Sequence, residues 1–143
     1  KDVIKFLIEH GVDLNDWKYF NNYNNIKIPL INAIKTDNES IVKYLIENGA
    51  DVNINYPVNK CDCSCSYDYA TPLIIAIKTE NEPIVKYLIE HGADVNYFDT
   101  SISCGYGYYC INYNNIKIPL INAIETGNES IVKYLIENGA DVN

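Results

Sequence analysis

Apolar positions fall in short bursts at helical spacing, and the same burst keeps returning along the chain. In residues 38–53, NESIVKYLIENGADVN, the side chains of Ile41, Val42, Leu45 and Ile46 recur three and four apart. That spacing lays a broad apolar stripe along one face of a helix. Polar residues mark its ends. Asn38 offers an N-cap oxygen, Glu39 puts negative charge in the first turn, and Lys43 follows Glu39 by four, the favourable order for a surface pair. Gly49 suits the left-handed residue that stops a helix, with Asp51 and Asn53 supplying turn chemistry beyond it. The pattern predicts one helix of about two to three turns.

The same sixteen residues stand at 128–143, a near-copy at 81–96 (NEPIVKYLIEHGADVN), and a shortened one at 1–15 (KDVIKFLIEHGVDLN). Phe6 there takes the place of Tyr44, Tyr87 and Tyr134. Ahead of each full copy lies a second apolar stretch: IPLINAIKT at 28–36, TPLIIAIKT at 71–79 and IPLINAIET at 118–126. Pro29, Pro72 and Pro119 fit a first helical turn, and Leu30, Ala33 and Ile34 give the spacing of a buried stripe. Small Ala33, Ala76 and Ala123 let this helix approach its neighbour closely. One such helix pair cannot bury its own apolar faces, so it must stack on the next.

TPL at 71–73 and IVKYLIEHGADVN at 84–96, with their copies, closely resemble the ankyrin repeat. The resemblance covers residues 28–53, 71–96 and 118–143 as full repeats and 1–15 as the second half of one. It implies one domain over 1–143: an all-α solenoid of stacked helix–turn–helix units joined by long β-hairpin-like fingers at 16–27, 54–70 and 97–117. One departure stands out. The family usually carries His after TPL, bonded to the Thr, whereas Ile31, Ile74 and Ile121 stand there, and Ile28 and Ile118 replace the Thr. Packing must then hold those first turns. The family also implies a non-catalytic protein–protein interaction scaffold, a fold-level analogy.

Gly11, Gly49, Gly92 and Gly139 are 38, 43 and 47 residues apart, against a usual period of about 33. The excess falls wholly in the connectors, and long loops on one face of a solenoid are where binding is usually placed. Thirteen of the seventeen aromatics lie there, with little positive charge around them, which is the composition of interface cores. The expected partner-binding residues are Trp17, Tyr19, Phe20, Tyr56, Tyr67, Tyr69, Tyr97, Phe98, Tyr106, Tyr108 and Tyr109. Asn32, Lys35, Lys78, Glu80 and Glu125 on the first-helix surface form the expected polar rim. These rings also suit packing of finger against finger, and self-association through them is a further outcome.

Residues 22–53 and 112–143 differ only at Lys35 against Glu125 and Asp37 against Gly127, so the duplicated unit is a pair of repeats. A chain that begins without Met inside a repeat, and stops directly after GADVN, is expected to be a piece of a longer array. Its targeting signals then lie beyond it. The expected setting is intracellular and cytoplasmic. No apolar run approaches the roughly 18 residues of a membrane span. The net charge of −8, with eleven Lys and no Arg, lacks the basic stripe of nucleic-acid binders and the polybasic segments drawn to anionic membranes. The abundance of Asn and Ile fits an AT-rich coding sequence and carries no functional weight here.

Cys61, Cys63 and Cys65 form C-D-C-S-C in one finger, and Cys104 and Cys110 sit in the next. Stacking would bring the two fingers side by side. Four thiolates could hold zinc, although C-x-C-x-C is not the usual structural spacing. Disulfides would suit an extracellular setting and leave one thiol over. Free thiols are the third outcome. The alternative function is therefore a metal- or redox-responsive structural module; otherwise no cofactor is expected. His10 and His91 close their helices, where an imidazole suits the dipole. Glu47, Glu90 and Glu137 read as solvated helix faces, and Asn38 and Asn128, formal N-E-S glycosylation acceptors, read as helix caps. No nucleophile–base set or phosphate loop appears; Gly105 and Gly107 are finger-turn residues. The chain reads as no enzyme.

Overall fold

The computed structural model describes residues 2–15, 28–60, 67–98 and 118–143. Each apolar burst is a helix. The order is α1 (Asp2–Glu9), α2 (Pro29–Lys35), α3 (Glu39–Glu47), β1 (Tyr56–Lys60), β2 (Tyr67–Ala70), α4 (Pro72–Lys78), α5 (Glu82–Glu90), α6 (Pro119–Thr126) and α7 (Glu129–Glu137). The starts follow from side-chain caps. Asn38, Asn81 and Asn128 accept from Ile41 N, Ile84 N and Ile131 N, and satisfy an amide the helix leaves orphaned. The stops follow from glycine. Gly49, Gly92 and Gly139 have φ of 91°, 88° and 92°, a region closed to side chains at low cost.

First helices pack on first helices, with α4 between α2 and α6, and second helices on second helices, with α5 between α3 and α7. The core runs continuously through this double row. Leu30, Ile31 and Ile34, Leu73, Ile74 and Ile77, and Ile84 and Leu88 are fully buried. Each such side chain contributes about 1.5–3 kcal/mol relative to an exposed one. The stripe is widest on α4, where Pro72–Ile77 are all buried, because α4 alone among the described first helices is covered by one on either side. Ile121 and Ile124, the counterparts of Ile31 and Ile34 in the last pair, are exposed.

The departure from the family pattern has a visible effect at the first-helix starts. Thr71 caps α4, its hydroxyl accepting from Ile74 N at 3.4 Å. Ile28 and Ile118 give α2 and α6 no side-chain cap. Ile28 instead buries its side chain almost completely, so packing replaces the polar contact there.

The connector at 54–70 carries an antiparallel hairpin. Tyr56 pairs with Ala70, Pro57 with Tyr69, Asn59 with Asp68 and Lys60 with Tyr67, with an irregularity between Pro57 and Asn59. The bulge leaves Pro57, which has no N–H to give, within the strand. Connector 16–27 and residues 99–117 of the third lie outside the described residues.

Candidate partner-binding surface

Consecutive units are joined by an amide clamp at the end of each repeat. Asn15 Nδ2 donates to Gly49 O at 3.0 Å while its Oδ1 accepts from Asp51 N at 2.8 Å. Asn53 does the same to Gly92 O and Asp94 N, and Asn96 to Gly139 O and Asp141 N, all at 2.8–2.9 Å. Each Asn is itself oriented by the Asp two residues earlier: the N–H groups of Asn15, Asn53, Asn96 and Asn143 donate to the carboxylates of Asp13, Asp51, Asp94 and Asp141 at 2.8–2.9 Å. The asparagines at these places therefore hold the stack together. Sequence reading assigns them only to the turn; the signal available is their return four residues after the closing glycine of every unit.

A second joint runs along the outer helices. Tyr87 OH donates to Glu47 at 3.3 Å and Tyr134 OH to Glu90 at 3.5 Å. Lys43 Nζ lies 5.4 Å from the centroid of the Tyr87 ring and Lys86 Nζ 5.5 Å from that of Tyr134. Glu47 and Glu90 are thus partners of the next unit's tyrosine, which corrects their reading as merely solvated. Lys43 and Lys86 are tied down by Glu39 and Glu82, each at 2.5 Å. Those hydrogen bonds raise both lysine pKa values, and the bond from Lys86, with a second from Ser130, lowers that of Glu82. Burial, then the charge of Glu47, raises that of Tyr87.

The helix ends show why His and Asn alternate there. His10 Nδ1 lies 2.7 Å from Phe6 O and His91 Nδ1 2.8 Å from Tyr87 O. A carbonyl only accepts, so Nδ1 carries the hydrogen. Asn48 and Asn138 donate through Nδ2 to Tyr44 O and Tyr134 O at 2.7 and 2.8 Å. All four side chains close a helix in the same way, and the two His rings also stack on Phe6 and Tyr87 at 3.9 Å.

The predicted contact residues separate into groups. Tyr56 is half-buried against the core, with Lys35 Nζ 4.5 Å from its ring centroid and 3.5 Å from its hydroxyl. Lys35 is therefore spent on the base of the finger. Tyr67 stands opposite Lys60 on the hairpin, Tyr69 opposite Pro57, and Tyr97 packs against the core. Phe98, next to it, is 55% exposed. Trp17, Tyr19, Phe20, Tyr106, Tyr108 and Tyr109 lie outside the described residues, as do Cys61, Cys63, Cys65, Cys104 and Cys110. Of the polar rim, Asn32, Lys78 and Glu125 are exposed on their helices, whereas Glu80 lies beyond α4, in the turn. Its φ of 55°, like that of Asp37 at 56°, is left-handed, and the corresponding residue of the last unit is Gly127. Asp37 uses the position to accept from Asn81 Nδ2 across the joint. Among the described residues no group of three or more His, Cys, Asp or Glu is placed to hold a metal ion.

The paired helices, the glycine stops and the double row of buried first and second helices meet in one result. The family model for ankyrin repeats, three copies long, matches residues 1–56 and again 56–143. The chain belongs to the ankyrin repeat family. Ankyrin repeats generally mediate protein–protein interaction, and the family is typically a non-enzymatic scaffold. No curated protein matches the chain. Among the described residues no helix is long and apolar enough to cross a membrane.

Proposed function

We propose that this ankyrin array binds a protein partner through its aromatic fingers and the exposed surface of its first helices. The observation that carries the reading is a division of labour. Polar groups of the repeats proper, from the asparagine clamps to the Tyr–Glu pairs, are consumed within the stack. Phe98 at the start of the third finger is a large ring left 55% exposed, of the kind that anchors interface cores. Lys78 and Glu125 on α4 and α6 supply a polar rim of both signs. Trp17, Tyr19, Phe20, Tyr106, Tyr108 and Tyr109 extend the same aromatic composition along the connectors. A photo-crosslinking residue placed at Phe98 tests this beside the same residue at exposed Lys133 on α7. Protein adducts at 98, absent at 133 and lost when each finger is trimmed to seven residues, support the reading. Equal adducts at both places, or adducts that survive trimming, sink it.

A second reading draws support from the hairpin. The pairing of Lys60 with Tyr67 confines C-D-C-S-C to the six residues that join two paired strand ends. Cys61, Cys63 and Cys65 would then form, with Cys104 and Cys110, a metal site for zinc or a set of disulfides that locks neighbouring fingers. Thiol titration of native and unfolded protein, with metal analysis, distinguishes the readings. Five freely reactive thiols and no bound metal would remove this one.

A further inference from the structure

The pairs Asn48–Gly49 and Asn138–Gly139 hold a chemistry that partner binding does not use. In an Asn–Gly pair the glycine backbone nitrogen can attack the asparagine Cγ, because no side chain on the glycine obstructs the approach. Both pairs stand at the surface with room around the glycine, and each asparagine amide is held by one bond, to Tyr44 O or Tyr134 O. All four residues are exposed, and nothing lies within 4 Å of where a Cβ would stand on Gly49 or Gly139. The amides that must attack are held by single terminal hydrogen bonds, Gly49 N to Ile46 O and Gly139 N to Ile136 O, each at 3.1 Å. Bonds of this kind, at the last turn of a helix, open by fraying.

We propose that Asn48 and Asn138 are sites of spontaneous deamidation that loosen the first and third joints of the stack. Base takes the proton from the glycine N–H, the nitrogen bonds to Cγ, and the bond from Cγ to the side-chain nitrogen breaks. Ammonia leaves and a cyclic imide remains. Water then opens the imide, giving aspartate if the new C–N bond breaks and isoaspartate if the original backbone bond breaks. The balance is water in and ammonia out, with no change of oxidation state.

Either product turns a cap donor into a carboxylate, which cannot donate to Tyr44 O or Tyr134 O. It also puts negative charge at a helix C-terminus, where the dipole disfavours it. Isoaspartate lengthens the backbone directly before Gly49 or Gly139, whose carbonyls receive the clamps of Asn15 and Asn96. The middle joint is spared, since the residue before Gly92 is His91, which closes its helix with no amide to lose.

The test is incubation of the intact chain under native, mildly alkaline conditions, with peptide mass spectrometry and a melting curve before and after. Asn48 and Asn138 should convert ahead of Asn15, Asn53 and Asn96, and the aged protein should melt lower than the fresh. The double variant N48H/N138H, which takes the residue already present at positions 10 and 91, should keep its melting temperature on incubation. Conversion only in denaturant, conversion no faster than at the clamp asparagines, or unchanged melting after conversion would each overturn the proposal.

Discussion

The side chain of Asn53 and the backbone of Gly92, 39 positions apart in the chain, are locked at 2.9 Å, while the same amide accepts from Asp94 N. Replacing Asn53 by Ala removes both bonds and leaves the two backbone groups to water. The expected loss is about 1–2 kcal/mol, at roughly 1 kcal/mol for each bond. Urea unfolding should show it as a lower midpoint. N53D, which keeps an acceptor but sets a carboxylate against the Gly92 carbonyl, should be no better than Ala.

Tyr87 should tolerate the change that position 6 already carries. Tyr87→Phe keeps the ring beneath Lys43 and gives up only an exposed hydroxyl bond to Glu47, so the expected cost is below about 1 kcal/mol. Tyr87→Ala loses the ring as well and should cost more. A double-mutant cycle of Lys43 with Tyr87 isolates the ring contact, and a coupling energy of zero would contradict it.

Glu80 sits at a left-handed φ in the exposed turn after α4. Glu80→Gly should raise stability by up to about 1 kcal/mol, since a side chain costs about 1–2 kcal/mol in that region and glycine gives part of this back as chain entropy. Gly127→Ala should lower it by a similar amount. Thermal melting of the two variants should move in opposite directions.

Stability should fall toward both extremes of pH. Lys43, Lys86 and Tyr87 have folded pKa values raised above the ordinary 10.5, 10.5 and 10.0. Their contribution is whole below those ordinary values and is lost as pH rises through the raised ones. Glu82 has a folded pKa lowered from 4.5, so its contribution is present above that value and lost as pH falls through the lowered one. Melting temperature against pH should show a plateau between the two edges. In a variant carrying Lys86→Met the acid edge should shrink.

The helices were legible because everything that makes them is local: apolar spacing, an Asn cap, a Gly stop, all within sixteen residues. The clamps were not. Asn15, Asn53 and Asn96 look like turn residues until their partners, 34–45 positions away, are brought beside them. Glu47 was misread for the same reason, its tyrosine being 40 residues on. In the fingers, composition alone could not say which rings serve the scaffold. Tyr56 turns out to hold Lys35 at the finger base, and Phe98 stands open. The single clue to backbone strain was the Asp37–Gly127 difference between two otherwise near-identical copies.

The amide clamps close at 2.8–3.0 Å whether the closing glycines of successive repeats stand 38, 43 or 47 residues apart. Joint and finger are thus independent in inheritance. A duplication that carries a helix pair arrives with its own hook and its own eye, and a finger can grow beyond its base, where Tyr56 meets Lys35, without the clamp having to change. The array is built so that its fingers can drift in length while its spine stays the same.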